Sequence, residues 1–346
     1  MFFNKLSNKE KKGPVKLQLN PTDRCNLKCV FCWQRDESKV NYDNEVSDER
    51  YYKLITEAKD LGIEFIELTG GGEPTFRKEL TLTLIEKIKE NKMKGSMITN
   101  GTLLTKKDLT RIVKTGWDEI IFSLDGLKKN HDYLRGVDGA FEKTIKNISL
   151  LQEIKKQEKS KFPKICVHFV LTKLNYEDIT PLLEKISLIG VKNFFIEPLV
   201  QVAFNVNIGE KLKIKKEHYS KLNKILQQAS KICEKYSIEN NINDFSKKDL
   251  IKNTNKMNEF ISLNFLKKKS KYPLLNFPCY EPWHTVVIRP NGRVGPCCMF
   301  DYSGVFIHNL SLKEVWLSEY FTKTRKDLSE GKLKGFCAQC NPSQIA

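Results

Sequence analysis

Residues 24–33 read Arg24-Cys-Asn-Leu-Lys-Cys-Val-Phe-Cys-Trp33, directly after an apolar run that ends at Leu19. Three thiols, Cys25, Cys29 and Cys32, fall within eight residues, with no nearby fourth thiolate or histidine. A structural zinc or iron–sulfur site takes four protein ligands. Three ligands leave a metal with an open position, where a small molecule can bind and receive an electron. A site of this kind placed after a strand belongs at the active end of an α/β fold.

Outward from this stretch, residues 15–200 alternate short apolar runs with longer amphipathic ones. Strands are expected at Val15–Leu19, Phe65–Thr69, Gly95–Thr99, Glu119–Leu124, Ile165–Leu171 and Asn193–Glu197. Helices are expected near 47–61, 78–91, 105–115, 138–157 and 177–189. Their apolar residues recur at three- and four-residue spacing, as in Leu182, Leu183, Ile186 and Ile189. Gly62, Gly116 and Gly190 stand where these helices should end. Six strands alternating with helices predict an α/β fold with parallel strands. The expected organisation is an N-terminal extension at 1–14, a core at 15–200, a lysine-rich helical connection at 201–277 and a cysteine-rich segment at 278–346. One amphipathic helix is expected in the connection, at 215–236, with Cys233 as a core residue.

The chain has 346 residues, enough for one large α/β domain and a smaller appendage. No run approaches the ~20 apolar residues of a membrane span, and the N-terminus lacks a signal-peptide core. A cytoplasmic location is expected. There the ten cysteines should stay reduced, so clustered ones read as metal ligands rather than disulfides. The formal charge of +17 raises the possibility of a nucleic-acid partner. The lysines, however, are spread over polar helix faces, and runs such as Lys211–Lys216 and Lys267–Lys271 lack aromatic residues for base stacking. The charge therefore argues for solvated faces and against a nucleic-acid partner.

The second strand should end in Leu68-Thr-Gly-Gly-Gly-Glu-Pro-Thr75. Glycines there let backbone groups approach a ligand, and Glu73 adds a carboxylate suited to an ammonium group. With these residues the chain resembles the radical S-adenosylmethionine (SAM) superfamily. The resemblance rests on Cys25-x-x-x-Cys29-x-Phe31-Cys32 and Gly71-Gly72-Glu73-Pro74. It continues through Thr99-Asn100-Gly101, Ser123-Leu124-Asp125, His131-Asp-Tyr-Leu-Arg135-Gly136 and Leu171-Thr172-Lys173.

The resemblance covers about residues 15–200 and implies a partial (β/α)6 TIM-type barrel. It implies that Cys25, Cys29 and Cys32 hold a 4Fe–4S cluster whose fourth iron chelates the SAM amine and carboxylate. Reductive cleavage of SAM would then give a 5′-deoxyadenosyl radical that abstracts a substrate hydrogen. Glu73 with Gly71, Gly72 and Pro74 would hold the SAM amine, and the Phe31 backbone would contact the adenine. Asn100, Ser123 and Asp125 would meet the ribose and the ligand's polar edge, and Arg135 the SAM carboxylate, which suits a two-point donor. An electron donor such as flavodoxin or ferredoxin is implied as a partner.

The C-terminal segment carries Cys279, Arg289-Pro-Asn-Gly292-Arg-Val-Gly-Pro-Cys297-Cys298 and Cys337-Ala-Gln-Cys340. A turn at Pro290–Gly292 would form a hairpin and bring one pair of ligands together. The segment resembles a reduced SPASM/twitch extension with one auxiliary 4Fe–4S cluster on Cys279, Cys297, Cys337 and Cys340. Cys298 is the spare, or the ligand in place of Cys297. Spacing leaves zinc open as the alternative metal.

His168 shares one face of the fifth strand with Cys166, and Glu197 closes the sixth; His168 and Glu197 are the candidate catalytic side chains. The expected activity is that of a radical SAM oxidoreductase or epimerase. A small oxygenated substrate, sugar- or aminoglycoside-like, is favoured because a fully ligated auxiliary cluster can accept the second electron of an oxidation. The alternative is peptide or protein side-chain modification, disfavoured because only about 14 residues precede the first strand. An RNA or lipid substrate remains open, and a non-catalytic iron–sulfur or zinc protein is the alternative from another class.

Overall fold

The computed structural model describes residues 13–32, 44–199, 206–246, 279–298, 305–332 and 337. Along the chain, β1 (Lys16–Leu19), α1 (Asp48–Asp60), β2 (Phe65–Leu68), α2 (Lys78–Glu90), β3 (Lys94–Thr99) and α3 (Lys106–Thr115) alternate. The alternation continues through β4 (Glu119–Ser123), α4 (Lys128–Arg135), α5 (Ala140–Gln157), β5 (Lys164–Leu171), α6 (Ile179–Ile189) and β6 (Asn193–Pro198). Then come α7 (Val206–Leu212), α8 (Lys216–Tyr236), β7 (Glu239–Asn240) and α9 (Ile242–Ser246). The C-terminal part holds α10 (Glu281–His284), β8 (Thr285–Ile288), β9 (Val294–Gly295), α11 (Leu312–Leu317) and α12 (Glu319–Ser329). The six strands and five helices expected before residue 200 recur within two residues of their expected ends. Helix α4, which carries His131 and Arg135, was not among them: eight residues are too few to display a helical period.

The chain divides into two compact units, one of Met1–Arg24, Asn41–Ser96 and Phe260–Ala346, the other of Cys25–Val40 and Met97–Glu259. In the first unit the strand order is β2-β1-β8-β9. β1 runs parallel to β2, with Leu19 opposite Leu68, and parallel to β8, with Leu19 opposite Ile288. The expected hairpin is present: β8 and β9 pair antiparallel with Ile288 opposite Val294, and Gly292 takes the left-handed conformation (φ +79°) the turn needs. Leu17, Leu19, Ile66, Leu68, Val286 and Ile288 are fully buried on one sheet face. The other face carries a Lys16–Glu67 ion pair at 2.9 Å and Gln18 donating to Asn20 at 3.2 Å, beside the buried Val287.

In the second unit β4, β5, β6 and β7 follow in order, each pair parallel. The same alternation recurs. Phe122, Val167, Phe169, Phe194 and Ile196 are buried on one face, each contributing about 1.5–3 kcal/mol by leaving water. Ser123, His168 and Glu197 lie on the other and are partly exposed. Helix α3 starts at a Thr105–Asp108 capping box and stops at Gly116 in the left-handed conformation. Helix α8 packs on α6 and buries Tyr219, Leu222, Leu226 and Cys233. No helix among the described residues is long and apolar enough to cross a membrane.

Candidate functional site

The cysteine loop is fastened to the end of α4. Lys28 N–H donates to the Arg135 carbonyl at 3.0 Å, and Val30 N–H to that of Leu134 at 2.9 Å. Gly136 makes this approach possible: it has φ +68°, and a Cβ there would stand 2.2 Å from the Lys28 carbonyl oxygen. Leu27 N–H donates to Cys25 Sγ at 3.4 Å. Cys25 is exposed, and Cys29 and Cys32 are partly so.

Beneath the loop lies a buried ion pair. Arg135 Nε is 2.6 Å from Asp125 Oδ2, Arg135 Nη1 is 3.7 Å from Cys29 Sγ, and the guanidinium sits 5.5 Å from the centre of the Phe31 ring. Asp125 is fully buried, and its Oδ1 accepts from Val170 N–H at 2.8 Å. Burial pushes its carboxyl up, against the opposing pull of Arg135 and of the Val170 amide. Burial also disfavours the charge on Arg135, but Asp125 and Cys29 outweigh it and keep the guanidinium cationic. His131 Nδ1 accepts from Asp125 N–H at 3.0 Å. Its imidazole is held neutral, down to about 3, by burial and by Arg135. Asp125 and Arg135, expected at the ligand, thus brace each other and the loop.

Asn100 has a similar arrangement. Its Nδ2 donates to Asn26 Oδ1 at 3.0 Å, its Oδ1 accepts from Thr102, and Asn26 Nδ2 donates to Thr102 Oγ1 at 2.8 Å. Asn26 and Thr102 escaped the sequence reading. The signal was the asparagine inside the cysteine motif, matched by another after β3.

The glycine–glutamate loop belongs to the first unit. Gly72 N–H donates to the Thr22 carbonyl and Glu73 N–H to the Arg24 carbonyl, at 2.9 and 2.8 Å. A Cβ at Gly72 would stand 2.0 Å from the Arg24 carbonyl oxygen, and one at Gly71 would stand 1.6 Å from Asp23 Oδ1. These glycines therefore make room for the Asp23 side chain and the Arg24 backbone as well as for any ligand. Glu73 is 3% exposed, and its Oε1 accepts from Thr75 N–H at 3.1 Å and Thr75 Oγ1 at 2.6 Å. It caps the short 3₁₀ turn that Pro74 opens.

His168 and Glu197 stand on the polar face of the second unit, with Nδ1 3.4 Å from Oε1 and side-chain exposures of 25% and 42%. In register, Ser123 is opposite His168. Burial holds the His168 imidazole neutral down to about 4 and lifts the Glu197 carboxyl. Cys166, on the same face, is 2% exposed, and burial pushes its thiol up, which reads as core.

In the C-terminal cysteine region the antiparallel register returns Cys297 and Cys298 toward the start of β8. Glu281 acts electrostatically on both Cys279 and Cys298. Burial pushes the Cys279 thiol up to about 11 and raises that of Cys298. Cys337 is partly exposed. Cys340 lies outside the described residues. Arg289, also unforeseen, is 6% exposed and donates from Nη2 to the Cys298 carbonyl at 2.5 Å.

Among the described residues, no three His, Cys, Asp or Glu side chains gather at metal-holding spacing. The donor chemistry nevertheless suits iron–sulfur clusters. One thiol set lies on a braced loop beside a cation, and the other is partly exposed around the β8–β9 hairpin.

Comparison with known proteins agrees with this donor chemistry. The family model described as Radical SAM superfamily matches residues 19–186, and the SPASM iron–sulfur cluster-binding domain matches residues 279–341. The chain is 34% identical over 160 residues to Fe-coproporphyrin III synthase of Methanosarcina barkeri, covering 46% of this chain and 38% of that protein. It therefore spans about two-fifths of that relative's length. It is 25% identical over 325 residues to AdoMet-dependent heme synthase of the same organism, covering 94% of this chain and 87% of the relative. In fold it is similar to SuiB of Streptococcus suis bound to S-adenosylmethionine, with a TM-score of 0.67, 21% identity and coverage of 93% and 71%. SuiB has also been solved with its precursor peptide SuiA.

Proposed function

Because this chain belongs to the radical SAM superfamily and carries a SPASM-type C-terminal domain, we propose that it oxidises a C–H bond next to a proton-bearing polar group. Its cofactors are SAM, a 4Fe–4S cluster and an auxiliary cluster. When bound, SAM and the three-cysteine cluster would supply hydrogen-atom abstraction from substrate, and the auxiliary cluster would supply a sink for the remaining electron. Cys25, Cys29 and Cys32 would hold the first cluster, with Arg135 countering thiolate charge at Cys29. Glu73 and the adjacent glycines suit the SAM ammonium, and Phe31, Asn100 and Ser123 the remainder of SAM. Cys279, Cys337, Cys340 and one of Cys297 and Cys298 would hold the auxiliary cluster.

The observation that carries the reading is the His168–Glu197 pair. Its imidazole is neutral at physiological pH and can accept the substrate's proton at Nε2, with Nδ1 oriented by Glu197. A small oxygenated molecule fits this role best. A second reading is a tetrapyrrole substrate, favoured by the near full-length similarity to the heme synthase. Peptide modification, as the SuiA complex illustrates for SuiB, is the third. A flavodoxin- or ferredoxin-like donor and a reducing cytoplasmic setting complete the proposal.

The test is anaerobic turnover with site-deuterated candidates of the three classes, following deuterium into 5′-deoxyadenosine. The H168Q and E197Q variants should still cleave SAM but form product about 10²–10⁴-fold more slowly. Product formation within about threefold of wild type in both would remove the pair from the chemistry.

A further inference from the structure

Arg289 ends the strand that β1 pairs with, and Asn20 N–H donates to the Ile288 carbonyl beside it at 3.0 Å. Its backbone closes the hairpin turn: Arg289 N–H donates to the Arg293 carbonyl at 2.9 Å, and Gly292 N–H to the Arg289 carbonyl at 2.9 Å. The side chain is enclosed, and its Nη2 grips the carbonyl of Cys298. Its charge also acts on the carboxyl of Asp23, where Glu45 opposes it, and Asp23 Oδ1 lies against Gly71. A buried guanidinium is therefore fixed against the backbone of the vicinal cysteine pair, with the Asp23 carboxyl near enough to feel its charge.

We propose that Arg289 is a positioning residue that raises the reduction potential of the auxiliary cluster. The inference rests on the C-terminal cysteines holding an iron–sulfur cluster. A one-electron reduction makes a thiolate-ligated cluster more negative. A fixed positive charge in a poorly screened setting stabilises that state over the oxidised one. Nearby charge and hydrogen bonding are the levers by which surroundings set a cluster's potential. The guanidinium holds the loop through Nη2 and biases the cluster toward accepting an electron by its charge. Asp23 acts in the opposite sense, by offsetting that charge.

The two effects predict shifts of opposite sign. The anaerobically reconstituted full chain is titrated with dithionite and followed by electron paramagnetic resonance, the three-cysteine cluster being identified by its response to SAM. In R289Q the auxiliary potential should fall by at least a tenfold change in the reduction equilibrium, 59 mV for one electron, and R289K should recover part of it. In D23N it should rise. An unchanged or raised potential in R289Q overturns the proposal, even if iron content drops. If R289Q takes up no auxiliary cluster, D23N decides: a rise supports the proposal, and no change or a fall overturns it. A wild-type chain with about four irons instead of eight would overturn the cluster reading and this inference together. Eight irons with no shift in either variant would overturn the inference alone.

Discussion

The two cysteine regions solve different problems. The N-terminal loop keeps its thiols near the surface, and its stiffness comes from beneath, through Arg135, Asp125, Asn26 and Asn100. The C-terminal Cys279 and Cys298 flank a hairpin that extends a buried sheet, and burial favours their protonated thiols. The first arrangement suits a metal that must meet an incoming ligand. The second suits one that is to be enclosed. Accessibility and rigidity are separable, and Cys25, the exposed thiol among the described residues, belongs to the first region.

The sharpest way to break this comparison is to remove one thiol from each region. C29A should lose about four irons and abolish SAM cleavage, whereas C279A should lose a similar number yet still bind SAM. Isothermal titration with SAM and iron counting check this, and loss of SAM binding in C279A would show that the regions are not independent. Next in size is the brace. R135M leaves the Asp125 carboxylate buried without its partner and should cost about 3–5 kcal/mol, read as a lowered denaturation midpoint. G72A places a Cβ against the Arg24 carbonyl and should cost about 1–3 kcal/mol. Chemical denaturation would show whether the glycine loop has slack, in which case the loss would be negligible.

The smallest effect concerns acidity. The folded pKa of His131 is depressed to about 3 from an ordinary 6.5. The unfolded chain therefore binds the extra proton between these values, and stability falls as pH falls through that window. From pH 7 to 6 this residue should remove about 0.7 kcal/mol, and H131Q should flatten that part of a thermal-melt profile. An unchanged slope in H131Q would mean that other groups carry it.

Much of the fold could be read from periodicity, because β-strands such as Glu119–Ser123 and helices such as Lys106–Thr115 bury regular faces. The site was legible where chemistry is local: the thiols, the glycines and Glu73 lie in short contiguous runs. It was illegible where partners are distant. Nothing near Arg289 in sequence announces the Cys298 carbonyl or Asp23. Likewise the Asn26–Asn100 contact joins residues from separate segments, and the pairing of Asp125 with Arg135 is not announced by their spacing. The choice between Cys297 and Cys298 depends on the orientation of adjacent side chains, which spacing does not encode.

The parallel pairing of β1 with β8 has a consequence for what a shortened version of this protein would be. Cutting the chain ahead of Cys279 would strip one side of β1 and leave its Lys16–Leu19 backbone groups as a raw sheet margin beside Leu17 and Leu19. Such margins recruit strands from other chains. A truncation intended merely to delete a cofactor would then yield a self-associating material rather than a simpler enzyme.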